Sequence, residues 1–373
     1  YFYMKKTKLL IKTKSKSYPI YFGKNILNIA PKIIRTKLPE VQKICIITDN
    51  KLPKIFLKKL IKYLKNYEIK IFKMSANEKI KSLIVANKII EQLLKNNFNR
   101  SDCIISLGGG TLGDLSAFVS NLTKRGLKFI NIPTTLLAQV DASIGGKTGI
   151  NTSYGKNLIG TYYQPDLVIS DIDLLKSLPK REMISGYGEI LKHSLILNQK
   201  FFLWLFKNAN KIISKKNNKY LINAIVKSCK IKNQIVSKDE KEKNLRMILN
   251  FGHTFAHGFE RAKNFSKKLN HGEAVLLGMF VASELSNAKK ILPFKDLQII
   301  KKHYFNLKLP YKVNSIFKRN EINKILYFMK KDKKNTDEKI NLILLNKIGK
   351  TTKPKQYSLS SNEIKKFLLN SYY

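Results

Sequence analysis

Cysteine is scarce. The chain of 373 residues has three, Cys45, Cys103 and Cys229, far apart and without a CxxC pair, which argues against a disulfide framework or a thiolate metal site and fits a reducing compartment. Long apolar runs are missing too. The longest uncharged one, Ala274 to Ser283, falls well short of the roughly 20 residues that cross a bilayer, so neither a transmembrane helix nor a membrane partner is expected. From Tyr1 to Ser17 lysines are scattered among the apolar residues, leaving no core for a secretory signal. A cytoplasmic protein is expected, with the tripeptide ahead of Met4 read as an extension or a misplaced start. Acidic residues are few, 25 against 71 Lys and Arg, giving a net charge of +46. Clustered, such an excess draws nucleic acid. Here the lysines are dispersed, outnumber arginine and accompany abundant Asn and Ile, a mix that AT-rich codon usage produces. No nucleic-acid module comes with them, so no nucleic-acid partner is expected, although the field can help recruit an anionic substrate.

Internal repeats and Gly/Ser linkers are also lacking. What is present is a change of pattern midway. The first half alternates β-branched runs with amphipathic segments: strands at Leu9–Thr13, Tyr18–Phe22, Lys43–Thr48, Glu68–Phe72, Cys103–Leu107 and Lys128–Ile132, with helices near Leu52–Lys65 and Lys79–Asn97. That is the pattern of a βαβ domain with a parallel sheet. From Leu178 the pattern is helical, as in Arg181–Leu197 and Leu221–Lys238. The expected fold is therefore a Rossmann-like α/β nucleotide-binding domain over 1–178 followed by an all-α domain over 179–373. Such a chain would carry its site in the cleft between them.

Three groups of residues carry chemical potential. Gly108-Gly109-Gly110-Thr111-Leu112-Gly113-Asp114 sits where a strand passes into a helix, so bare backbone can approach a pyrophosphate at the positive helix end; a plain tight turn is the alternative. His253 and His257, at i and i+4, share one helical face, a spacing that suits two imidazoles on one metal. Nearby His271 opens another helix, and Glu189 and His193 lie one turn apart, so a two-His, one-carboxylate site is available. Finally, Arg125-Gly126, Gly145-Gly146-Lys147-Thr148 and Gly155-Lys156-Asn157 set cations and an amide beside glycines. They suggest a pocket for a doubly anionic substrate.

GGGTLGD, KRGLKFINIPTTLLAQVDASIGGKTGIN, GKNLIGTYYQP, LPKRE, SGYGEILKH, LRMILNFGHTFAHGFE and HGEAV resemble 3-dehydroquinate synthase, in order and with the family's spacing, from about Ile44 to Asp332–Lys334. The resemblance implies a dehydroquinate synthase-like fold and a homodimer. It implies one divalent metal, zinc or cobalt, on Glu189, His253 and His271, with His257 contacting substrate instead. It implies NAD contacts from Glu78 and Lys81, from Gly110, Thr111, Leu112, Gly113 and Asp114, from Thr134 and Thr135, and from Leu174, Leu175, Lys176 and Ser177, with Asp49 toward the adenosine ribose. Lys147 and Lys156 match lysines beside cofactor and substrate. Further substrate contacts are implied for Arg125, Asp141, Asn157, Lys192, Lys232, Arg246 and Asn250, and for Lys333 or Lys334. Asn77, Thr111, Tyr187-Gly188 and His193 depart from the family pattern.

The reaction so implied is a step of the shikimate pathway toward aromatic amino acids. It converts 3-deoxy-D-arabino-heptulosonate 7-phosphate into 3-dehydroquinate and phosphate. NAD removes hydride at C5 transiently, phosphate is eliminated, hydride returns, and an intramolecular aldol step closes the ring. The nearest rival is a metal-dependent polyol dehydrogenase that consumes NAD stoichiometrically; the lysine-rich pocket speaks against it.

Overall fold

The computed structural model describes residues 7–266, 268–331 and 339–370. The expected contact at Lys333 or Lys334 lies outside them. In chain order come β1 (Thr7–Lys12), β2 (Ser17–Gly23), α1 (Ala30–Lys37), β3 (Lys43–Asp49), α2 (Lys54–Tyr63), β4 (Glu68–Met74) and α3 (Leu83–Lys95). Then follow β5 (Cys103–Gly108), α4 (Gly110–Leu122), β6 (Lys128–Pro133), β7 (Lys147–Thr152), β8 (Gly155–Tyr162) and β9 (Leu167–Asp171). Next are α5 (Lys180–Leu197), α6 (Gln199–Ile213), α7 (Asn218–Val236), α8 (His253–Ala262) and α9 (His271–Ala288). The chain continues through α10 (Phe294–Leu307), α11 (Ile322–Lys330), β10 (Lys339–Leu342), β11 (Leu345–Lys347), β12 (Lys350–Thr351), β13 (Tyr357–Ser360) and α12 (Ser361–Asn370).

Contacts divide the chain into two units. The first is Tyr1–Pro179 with Asn217–Glu240, and the second is Lys180–Lys216 with Lys241–Tyr373. The expected division after residue 178 thus differs in one respect: α7, read as part of the helical half, packs with the sheet-bearing unit. Its apolar side meets β1, β2 and the turns at Ala138–Ala142 and Ile172–Leu175, which bury Leu221, Ile225, Cys229 and Ile235.

In the first unit seven strands pair in the order β1-β2-β9-β6-β5-β3-β4. Only β1 and β2 are antiparallel; the other pairs run parallel. Successive side chains of a strand point to opposite faces, and the core is sorted accordingly. Ile44, Ile46, Cys103, Ile105, Ile130 and Ile132 pack with α1 and α2, whereas Cys45, Ile47, Ile104 and Phe129 pack with α3 and α4. Burial on both faces is why these strands read as continuous Ile-rich runs rather than alternating ones. β3 has β4 on one side and β5 on the other, so the connections diverge there. In parallel sheets, ligands settle outside the carboxyl ends of the strands at such a point. Asp49 ends β3 and Gly108 ends β5.

The second unit is helical, with two small two-stranded ladders, β10 with β13 and β11 with β12. At two to four residues each, these strands are too short to leave a periodicity in the sequence. α9 is buried on every side from Gly272 to Ser286, save Glu273 and Glu284, and packs against α5 and α8. A helix apolar all round belongs in an interior.

Candidate functional site

In the second unit α5, α8 and α9 bring Glu189, His253 and His271 together, with one ligand-capable atom from each lying within 4.8 Å of the others. The approach depends on missing side chains. A Cβ on Gly272 would stand 2.3 Å from Ser185 Cα in α5, and one on Gly278 would stand 2.2 Å from the Gly252 carbonyl at the start of α8. Small residues at these points let α9 close on both neighbours. The first turn of α9 is fixed separately. Asn270 and Glu273 form a reciprocal capping box, and the Arg181 guanidinium grips the Glu273 carboxylate with two bonds of 2.6 Å.

The donors suit a divalent metal. Glu189 is 1% exposed, and its Oε1 accepts no hydrogen bond, although His253 Nε2 stands 3.6 Å from it. The other oxygen, Oε2, lies 2.5 Å from the Lys192 ammonium. His253 Nδ1 is 3.3 Å from the Phe251 carbonyl. A carbonyl only accepts, so Nδ1 carries the proton and Nε2 keeps its lone pair toward Glu189. Burial, then Lys192, then the neighbouring rings of His271 and His257, push His253 well below its usual range and leave it neutral, as a ligand must be. For His271, burial pulls downward but is outweighed by Glu260 and then Glu189, which raise it to about 8. His257 stays one ring away from His253, centroid to centroid 5.7 Å, and is not in the trio. His193 is fully buried on α5, and the trio closes without it. Arg246 is buried in the turn Leu245–Asn250, and Asn250 Nδ2 donates to Glu242 at 2.8 Å.

In the first unit several of the expected cofactor residues, Glu78, Lys81, Thr111, Asp114, Thr135 and Lys156, gather around the start of α4. A Cβ on Gly109 or Gly110 would crowd Thr135 or Ala142 at 3.2 and 3.1 Å, so the backbone of the turn is left bare. Lys81 is 3% exposed, and its ammonium donates to Asp114 at 2.7 Å and to the Asn157 amide oxygen at 2.5 Å. Burial would raise Glu78, but Lys156 at 3.7 Å, the Asn151 amide, Lys81 and Thr111 outweigh it and hold the carboxyl below the ordinary range. Burial prevails at Asp114 and raises it despite Lys81. Thr134 takes its place through a backbone bond to the Gly108 carbonyl, 2.9 Å. Asp49 Oδ1 accepts from the Lys51 and Ala76 backbone.

The glycine-flanked segments at Lys147 and Lys156, read as part of a pocket for a doubly anionic substrate, are the two strands of an antiparallel hairpin. Asn157 and Lys156 reach the Lys81 and Glu78 cluster from β8; Lys147 begins β7. Asp141 lies in a single π-turn, Ala138–Ala142, a form frequent at functional sites. Lys232 of α7 holds it through its carboxylate at 2.7 Å and its carbonyl at 2.6 Å. Leu174 and Leu175 are core residues, their side chains packed in the interior. Lys176 and Ser177 are exposed, and Lys176 pairs with Asp173.

Arg125 is not gathered with these groups. It ends the turn after α4 and lies next to the start of β6, whereas Thr134 follows the end of that strand. There it lines a separate groove of about 550 Å³ with Lys16, Arg100, Lys128 and Tyr163. Gln164 is a residue the motifs did not single out. Its amide donates to Glu240 at 2.7 Å and its side chain fills the space above Gly146.

A 3-dehydroquinate synthase N-terminal model matches residues 71–185, and a 3-dehydroquinate synthase C-terminal model matches 186–335. The 3-dehydroquinate synthase of Pelagibacter ubique is 50% identical over 356 residues, 95% of each chain. That of Dictyoglomus turgidum is 40% identical over 92% of each. Among solved structures, 2-deoxy-scyllo-inosose synthase complexed with carbaglucose-6-phosphate, NAD+ and Co2+ superposes with a TM-score of 0.85 at 24% identity, covering 98% of this chain and 100% of the other. The 2-epi-5-epi-valiolone synthase of Streptomyces hygroscopicus, with NAD+ and Zn2+ bound, gives 0.83 at 23%, covering 96% and 97%. At that identity the likeness is one of fold. Two family models in tandem and relatives matched along nearly their whole length leave one conclusion: the chain belongs to the 3-dehydroquinate synthase family.

Proposed function

We propose that this protein is a phosphate-eliminating carbon–oxygen lyase that converts 3-deoxy-D-arabino-heptulosonate 7-phosphate into 3-dehydroquinate and phosphate. The observation that carries the reading is the trio Glu189, His253 and His271, two imidazoles and one buried carboxylate, the donor set of a catalytic metal site with an open position. Glu189, His253 and His271 would hold one zinc or cobalt ion, and the turn from Gly110 to Asp114, with Glu78, Lys81, Thr134, Thr135 and Lys156, would hold NAD. When bound, the metal supplies Lewis acidity at adjacent hydroxyls and NAD supplies a hydride acceptor restored within each cycle.

The remaining roles belong to side chains. The bare backbone at Gly109 and Gly110 lets a pyrophosphate approach the positive end of α4. Lys147, Lys192, Lys232 and Arg246 offer cations for a substrate bearing a phosphate and a carboxylate, Arg as a fork and Lys as point charges. Asn157, Asn250 and His257 supply neutral polar contacts, and Asp141 is held by Lys232. Holding the two anionic ends in place makes ring closure an oriented intramolecular event, so few dedicated acid–base groups are needed, and the departing phosphate can itself accept the C6 proton. A homodimer is part of the proposal.

The test is phosphate release from the heptulosonate phosphate by metal-stripped protein, with and without added zinc or cobalt and catalytic NAD. Release that needs both, yields 3-dehydroquinate and accumulates no NADH is the expected result. Stoichiometric NADH with a polyol, and no phosphate release from metal-loaded protein, would replace this reading by a dehydrogenase.

A further inference from the structure

Glu260 has no part in the chemistry assigned above, yet it is a carboxylate only 6% exposed. On α8 it follows His253 and His257 at i+7 and i+3, so the three share one helical face. Its Oε2 lies 3.2 Å from Nδ1 of His271, across on α9. A carboxylate oxygen accepts, so Nδ1 of His271 holds its proton, and Nε2 is the nitrogen that would give up any proton of its own to a metal. His253 reaches the same tautomer through the Phe251 carbonyl. The two rings therefore present equivalent nitrogens, one oriented by backbone and one by a side chain.

We propose that Glu260 is a positioning residue of the candidate metal site, fixing the tautomer and ring orientation of His271 so that Nε2 is the nitrogen offered to the ion. The inference rests on the metal reading given under Proposed function. The fold supports it by anchoring Glu260 from both directions. Its carbonyl accepts from the Phe265 backbone at 2.8 Å, and Lys263 in the next half-turn is tied to Glu321 at 2.8 and 2.9 Å. The capping box and Arg181 fix the first turn of α9, so both partners of the Glu260–His271 contact are held on rigid elements. An outer carboxylate on a ligating histidine stiffens the ring and raises its basicity, and its loss typically weakens metal binding about 10- to 100-fold.

The experiment measures cobalt affinity of the full, metal-stripped chain by chelator competition and by the visible d–d spectrum, in wild type, His271→Ala, Glu260→Gln and Glu260→Met. Gln keeps an acceptor oxygen, whereas Met keeps the volume and removes the acceptor. The expected pattern is an affinity about 10- to 100-fold weaker with an altered d–d band for E260M, while E260Q stays close to wild type. Should the Met variant fail to fold, Glu260→Ala, which also lacks an acceptor, carries the same comparison. Wild-type affinity in E260M alongside lost affinity in H271A would overturn the role of Glu260 and leave the metal site standing. Equal weakening in E260Q and E260M would overturn hydrogen-bond acceptance as its means. Unchanged affinity in H271A would sink the metal reading itself, and this inference with it.

Discussion

His303 and Tyr187 meet inside the helical unit, Oη to Nε2 at 2.7 Å, with the rings of Phe202 and Phe206 within 6 Å of the imidazole. Burial pushes His303 down to about 4 from an ordinary 6.5. Between those values the unfolded chain binds a proton that the folded one does not, so stability is complete above pH 6.5 and falls as the pH drops toward 4. A shift of this size corresponds to something on the order of 3 kcal/mol. Urea midpoints measured from pH 7 to pH 4 should decline more steeply in wild type than in His303→Gln, and matching slopes would show that His303 is not the group responsible. Lys81 makes a second residue-scale case. Methionine there would remove the cation from between Asp114 and Asn157, leaving a carboxylate with no ammonium. The cost should be roughly 3 kcal/mol in denaturant unfolding, and a loss below about 1 kcal/mol would mean that the two acceptors find other partners.

Among elements, α9 invites the clearest test. Asn270→Ala breaks the reciprocal cap one residue ahead of His271 and should cost about 1 kcal/mol. If the cap also sets the ring, cobalt affinity should fall with stability; a stability loss alone would confine the cap to holding the helix. Elements were legible where burial imposed a period. The Ile-rich strands, the glycine turn after β5 and the helices at α5, α8 and α9 could be read directly. The β7–β8 hairpin could not, because its signal is close packing: a Cβ on Gly160 would stand 2.2 Å from the Thr148 carbonyl on the facing strand. Glycine there lets two backbones approach. The i, i+4 spacing made His253 and His257 look like partners, but the trio joins three helices, and sequence spacing along one helix carries no information about the other two. Glu260 was hidden for the same reason.

For the molecule as a whole, the charge of +46 supplies a field that acts before contact is made. With an anionic substrate, kcat/KM should fall as salt rises from about 50 to about 300 mM, while kcat holds, because screening weakens encounter and leaves the assembled site alone. A kcat that drops in parallel would place the salt effect within the site. Whole-chain organisation was only partly legible. The change from alternating to helical pattern near Pro179 is real, but periodicity reports that a helix has an apolar face and not which core receives it, so α7 could not be assigned.

That assignment bears on how the protein is made. The chain leaves the sheet-bearing unit at Pro179 and returns to it only at Asn217. A ribosome that has delivered all nine strands of that unit has still not delivered the helix covering β1, β2 and the Asp141 turn. Until Leu221, Ile225, Cys229 and Ile235 emerge, their apolar seat stays open to water or to a chaperone. Lys232 arrives in the same stretch, so the nascent unit gains its missing wall and the clamp on Asp141 together.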